Sequence, residues 1–268
     1  MSIFREDLDA LLQDEQHCSV SELERNSECG DGVQIERRSL LWLSAAAVGA
    51  LLTGTSRAAS RPQRQEPAPD ASSMTSFLAD ALPRARRLIE SGGDGETAYL
   101  MTLAAAMTRL QDPGSGLRAT MREFQKKHAR SGERFPLVAI HFKLAPGRGF
   151  EHHDHLDYNG VILGLEGEVR IRNYDFVGDV PDVDSGKTFH IRQTRDDLLL
   201  PGRISTLGRK TDNVHDVVAG KKGARVLDVF TFFERHSGSR YLDVEAKPRD
   251  EEARIYEAAW RPRRRRRG

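Results

Sequence analysis

Cysteine is nearly missing: the 268-residue chain has two, too few for a disulfide framework or a thiolate zinc cluster. Net charge is just as scarce, with 41 Lys and Arg against 40 Asp and Glu. A polytopic membrane protein is excluded by the 30% charged residues. The longest apolar stretch, Leu40 to Thr55, has 16 residues, short of the ~20 a helix needs to span a bilayer comfortably. The overall charge of +1 hides a division, since residues 1–59 hold ten acids and five arginines, a net of −5. The remaining +6 is accounted for by Arg261 and Arg263 to Arg267. The body between is formally neutral, which removes the electrostatic basis for nucleic acid as a partner. The arginine run reads as a solvated tail, with contact to a polyanion or membrane surface as the alternative.

The apolar stretch follows Glu36-Arg37-Arg38-Ser39 and ends at Ser56-Arg57-Ala58-Ala59. Paired arginines, a mild apolar core and small closing residues resemble a twin-arginine export signal. The resemblance implies the twin-arginine export machinery as a partner and a periplasmic or exported product cleaved near Ala58 or Ala59. The alternatives are an inner-membrane anchor formed by residues 40–55 and a buried helix. Membrane anchoring is expected only through this leader, if it is uncleaved. The 36 residues before it form an acidic extension, and both cysteines, Cys18 and Cys29, precede the arginine pair. A cleaved product would lack cysteine, which suits an oxidising compartment.

Residues 60–72 are polar and proline-rich, a linker. Phe77, Leu78, Ala81, Leu82, Ala85, Leu88 and Ile89 recur at three- and four-residue steps, predicting an amphipathic helix with a kink at Pro83. Further helices are predicted over Glu96–Gln111 and Leu117–His128, completing a helical preface at 73–132. From Phe135 the pattern changes to short alternating runs between Gly, Pro and Asp. Strands are predicted around Val138–Leu144, Val161–Leu165, Val169–Ile171, Phe189–Gln193, Asp197–Leu200, Arg203–Leu207, Asn213–Val218 and Arg225–Phe233, with a surface loop at Val177–Lys187. So many short strands argue for a mainly β sandwich or barrel over residues 133–258, before the tail at 259–268.

Within that region stand His152, His153 and His155. In a strand His153 and His155 share a face and His152 points the other way, so two imidazoles make half a metal site. A third ligand must come from a distant strand adjacent in space. His215, 60 residues after His155, lies between Val214 and Val217 and is the candidate. His141 and His190 read as outward polar positions.

Gly147, five residues, His153-Asp154-His155 and then Gly167 after the next strand resemble the first signature of the cupin family. The glutamate many cupins carry shortly after the second histidine is replaced by Asn159 and Gly160. A three-histidine set without carboxylate resembles the thiol dioxygenase branch, the cysteamine dioxygenase and plant cysteine oxidase family. Tyr174-Asp175-Phe176, and Leu227-Asp228-Val229-Phe230 after His215, extend that resemblance. It implies a cupin β-barrel, or double-stranded β-helix, preceded by short α-helices. It also implies Fe(II) on His153, His155 and His215, and O2-dependent oxidation of an amino thiol or N-terminal cysteine to a sulfinic acid. The chain departs from the family at Leu156-Asp157-Tyr158-Asn159 and at Phe232-Phe233-Glu234, where a tyrosine is usual. These departures bear on the substrate more than on the metal.

Nitrogen ligands suit Fe(II), Zn or Cu alike, so a zinc hydrolase or isomerase and a non-catalytic ligand-binding cupin stand as alternatives. Asp228 shares a strand face with Val226, Phe230 and Phe232. It is the candidate catalytic carboxylate, holding a ligand imidazole or a substrate amine; pairing with Arg225 is its other reading. Tyr158 and Tyr174 read as packing residues.

Overall fold

A computed structural model describes residues 72–262, except 114–115, 131, 133–134 and 235–236. The acidic extension, the leader with its arginine pair, both cysteines, most of the linker and the last six residues lie outside the described residues. Three helices come first: α1 (Met74–Glu90), α2 (Glu96–Met107) and α3 (Leu117–Arg130). Eight strands follow: β1 (Leu137–Leu144), β2 (Gly149–Leu156), β3 (Tyr158–Val177), β4 (Thr188–Leu199), β5 (Ile204–Leu207), β6 (Val214–Phe232), β7 (Gly238–Val244) and β8 (Ile255–Trp260).

The Ser73 side chain caps α1 by accepting from the Ser76 N–H at 3.1 Å. The apolar stripe from Phe77 to Leu88 is buried, and the helix runs through Pro83 as one element. Helical Leu78, Leu100 and Met107 share a core with Leu137, Ala139, Val161, Leu163, Leu227 and Val229. These strand residues alternate, so one face of β1, β3 and β6 is covered by helices and the other looks inward. Two polar ties fix the helices to the sheet: the Tyr99 and Thr231 hydroxyls lie 2.6 Å apart, and Asn159 Nδ2 donates to Glu96 at 2.8 Å.

β3, from Tyr158 to Tyr174, and β6 run antiparallel to each other and change their other partners halfway. Residues 158–167 of β3 pair with 224–232 of β6, where β1 and β5 flank them. Residues 169–174 pair with 214–219, and there β6, β2, β7, β8, β4 and β3 close a ring of six strands. The register slips on either side of Glu166 and Gly167. Gly167 has φ 69, and a Cβ there would meet the Gly223 carbonyl oxygen at 2.2 Å. Gly167→Ala is therefore expected to cost about 1–3 kcal/mol. Urea unfolding measures it, and an unchanged midpoint would contradict it.

That crossing explains a difference from the sequence reading. Runs predicted as separate strands at 161–165 and 169–171 are one β3, and those at 213–218 and 225–233 are one β6. Glycine and charge mark slips in pairing there, where the strand continues. The runs at 189–193 and 197–200 likewise join in β4, and β7 and β8 were not foreseen. The segment 177–187 is a surface loop with a 3₁₀ turn at Val183–Ser185. A closed ring of six antiparallel strands with three helices before it is the mainly β barrel that the sequence reading expected.

Candidate metal centre

Register brings the histidines together. His153 of β2 stands opposite His215 of β6, and His155 lies two residues further along β2 on the same face. A slip between Phe150 and His153 lets these two residues, three apart in sequence, approach on one face with ring centroids 6.3 Å apart. His152 is turned to the other face, where Nε2 lies 3.2 Å from the Tyr174 hydroxyl and 3.3 Å from Asp216 Oδ1.

All three inward imidazoles are buried, and their candidate ligand atoms lie within 4.8 Å of one another. No carboxylate belongs to the group among the described residues. Burial pushes the pKa of His153 down to about 4 and holds those of His155 and His215 well below the usual imidazole value, the neighbouring histidines adding to the effect. All three are therefore neutral near pH 7 and present lone pairs.

The His153 Nδ1–H donates to the Glu151 carbonyl at 2.8 Å, which leaves its Nε2 bare, and that atom lies 2.9 Å from His215 Nε2. Two nitrogens each about 2.1 Å from one ion, at a right angle, are about 3.0 Å apart. Nδ1 of both His155 and His215 is buried with no hydrogen-bond partner among the described residues. These nitrogens fit a divalent cation that takes nitrogen ligands.

Neighbouring side chains hold the group in place. The Tyr158 ring stacks on His155 at 4.1 Å and 15°, and its hydroxyl is 2.6 Å from Ser239 Oγ. Burial raises the Tyr158 pKa far above the usual phenol value, so the hydroxyl keeps its proton. Asn213 clamps the backbone of His155 from both sides, accepting from its N–H at 3.2 Å and donating to its carbonyl at 3.0 Å. On the opposite face, Asp154 is bound by Arg240 and Asp216 by Arg172. Two buried acids beside the ligands are thus each matched by a cation.

Asp228 is buried at 4% exposure on the inward face of β6, opposite Ile140 on β1 and Ile162 on β3. It lies outside the histidine group and near Tyr158, whose pKa its charge helps to raise. Arg225, its other predicted partner, reaches Glu166 and His141 instead. Sequence reasoning missed the placing roles of Tyr158, Asn213 and Ser239. Tyr158 reads as an ordinary core residue, Asn213 as the first residue of a strand, and Ser239 lies on the unforeseen β7.

The depressed imidazoles set the acid stability of the metal-free protein. Between the ordinary value of 6.5 and the His153 value of about 4, the unfolded chain takes up a proton that the folded chain refuses. Stability is therefore full above about pH 6.5 and falls as the pH drops, His153 alone approaching about 3 kcal/mol. Urea midpoints from pH 7.5 to 4.5 should decline, and decline less steeply in His153→Gln, where His155 and His215 still contribute; a flat wild-type profile would refute this.

No family model matches the chain, and no curated protein does. Among solved structures, a recombinant oxalate oxidase in complex with glycolate is 17% identical over 40% of this chain and 46% of that one, with a TM-score of 0.29. Procruciferin, an 11S globulin from Brassica napus, is 12% identical over 44% of this chain and 25% of that one, with a TM-score of 0.32. The coconut allergen cocosin is 15% identical over 44% and 26%, also at 0.32. This chain spans less than half the length of each. Its antiparallel strands close into a barrel, and its three clustered histidines could hold a metal.

Proposed function

We propose that the protein is an iron-dependent thiol dioxygenase, taking an amino thiol or the N-terminal cysteine of a peptide, with O2, to a sulfinic acid. The observation that carries this reading is the ligand set: three buried, neutral imidazoles and no carboxylate among the described residues. His153, His155 and His215 would hold the iron. When bound, Fe(II) supplies uncancelled positive charge that acidifies a thiol, and electrons that make dioxygen reactive.

The rest of the site suits that task. Phe150 and Phe230 stand against the histidine rings and keep water from them. Tyr241, 41% exposed, has its ring 5.6 Å from His153 and marks the side on which the group meets solvent. Asp228, buried on the inward face of β6 and near Tyr158, would be the carboxylate that receives a substrate ammonium. Tyr158 is held by Ser239, so its part is to support His155.

The test is oxygen uptake by the Fe(II)-loaded full chain with cysteamine, cysteine and an N-terminal-cysteine peptide in turn, with mass detection of a product heavier by two oxygen atoms. A sulfinate from one of them, lost in His215→Ala, is expected. No uptake with any of them while iron stays bound would sink the reading.

A further inference from the structure

A metal-binding histidine nearly always donates its second ring N–H to an acceptor, which fixes its tautomer and its plane. His153 has such an acceptor in the Glu151 carbonyl at 2.8 Å. His215 does not: its Nε2 faces His153 at 2.9 Å, and its Nδ1 is buried without a partner among the described residues. One neighbouring group has the opposite deficit. Asn173 is 0% exposed, and its Oδ1 also has no hydrogen-bond partner among the described residues.

The β3–β6 register sets Asn173 directly opposite His215. Directly opposed residues of an antiparallel pair project to the same face with Cβ atoms about 4.5–5.5 Å apart. A ligand nitrogen must be bare, so once Nε2 carries a metal the imidazole proton sits on Nδ1 and needs an acceptor. Leaving a buried donor and a buried acceptor both unmade is costly, and one bond satisfies both. The Asn173 amide nitrogen already points away, 3.4 Å from the Asp212 carbonyl, so the oxygen is the atom left over.

We propose that Asn173 is the positioning residue of His215: its Oδ1 accepts the Nδ1–H of His215 when Nε2 binds the metal, fixing the tautomer and the ring plane. This rests on the reading of the three histidines as a metal site. It does not depend on which thiol, if any, is turned over.

Zinc-loaded full chain tests it, because zinc is diamagnetic and the imidazole protons can be followed by NMR. In the wild type the His215 Nδ1–H should give a slowly exchanging signal, and a zinc-bound crystal structure should place Nδ1 within about 3.2 Å of Asn173 Oδ1. Asn173→Leu should lose the signal and bind zinc about 10–100-fold more weakly in competition with a chelator. Asn173→Asp, which keeps an acceptor, should retain both. A wild-type structure with Nδ1 bonded elsewhere, or Asn173→Leu with unchanged signal and affinity, overturns the proposal and leaves the metal site standing. Absence of stoichiometric zinc in the wild type overturns the metal reading, and the proposal with it.

Discussion

His215→Ala is expected to abolish stoichiometric metal binding while the barrel stays folded. His215 projects from β6 against His153 with the two Nε2 atoms 2.9 Å apart, and it is the one member of the group not on β2. Without it two imidazoles of a single strand remain, and a cation would have to complete its shell from water inside a buried site. The loss should exceed about 100-fold in affinity, the upper end of what losing an outer hydrogen-bond partner costs. Alanine also removes an imidazole whose Nδ1 has no partner among the described residues, so no new buried charge is created. Metal content after gel filtration measures the effect, with His190→Ala, an exposed position on β4, as the control that keeps the metal. One equivalent retained by the His215 variant would refute the assignment of the third ligand.

The largest expected loss of stability comes from the reverse face of the same strand. Asp154, between the two ligand histidines of β2, is 1% exposed. Arg240 of β7 donates to it from its backbone N–H at 2.9 Å and its Nε at 2.8 Å, with a further bond from a terminal nitrogen. The guanidinium also lies 4.4 Å from the centre of the Trp260 ring. Burial raises the Asp154 pKa, and the Arg240 bonds work against that rise. Arg240→Ala therefore strands a buried carboxylate and should cost about 3–5 kcal/mol. Asp154→Asn should cost less, since the neutral amide tolerates burial and a partly exposed arginine can turn to water. Chemical denaturation at pH 7 separates the two, and a loss below about 1 kcal/mol in Arg240→Ala would show that the pair does not anchor β7 to the ligand strand.

What could be read from the sequence was whatever a local pattern encodes. The three helices followed from apolar spacing, and the shared face of His153 and His155 followed from the two-residue period of a strand. His215 needed more: a strand context far along the chain, and the register that sets it opposite His153. The length of β3 and β6 was illegible because Glu166, Gly167 and Gly220 to Gly223 carry the composition of turns while sitting at slips in a continuous ladder. β7 and β8 escaped because Arg240, Asp243 and Glu257 break the apolar alternation; a buried partner such as Asp154 satisfies Arg240 only in the closed ring. The supports of the histidines were illegible for a related reason. Asn173, Asn213 and Ser239 are ordinary polar residues until the register sets them beside His215 and His155.

The measurement that bears most directly on the account is X-ray absorption at the iron edge of the Fe(II)-loaded protein, before and after a thiol substrate is added. The account predicts one iron per chain with the scattering pattern of three imidazoles, joined by a sulfur when the thiol is present. Fewer than three imidazoles, or an iron shell that the thiol leaves unchanged, would contradict it.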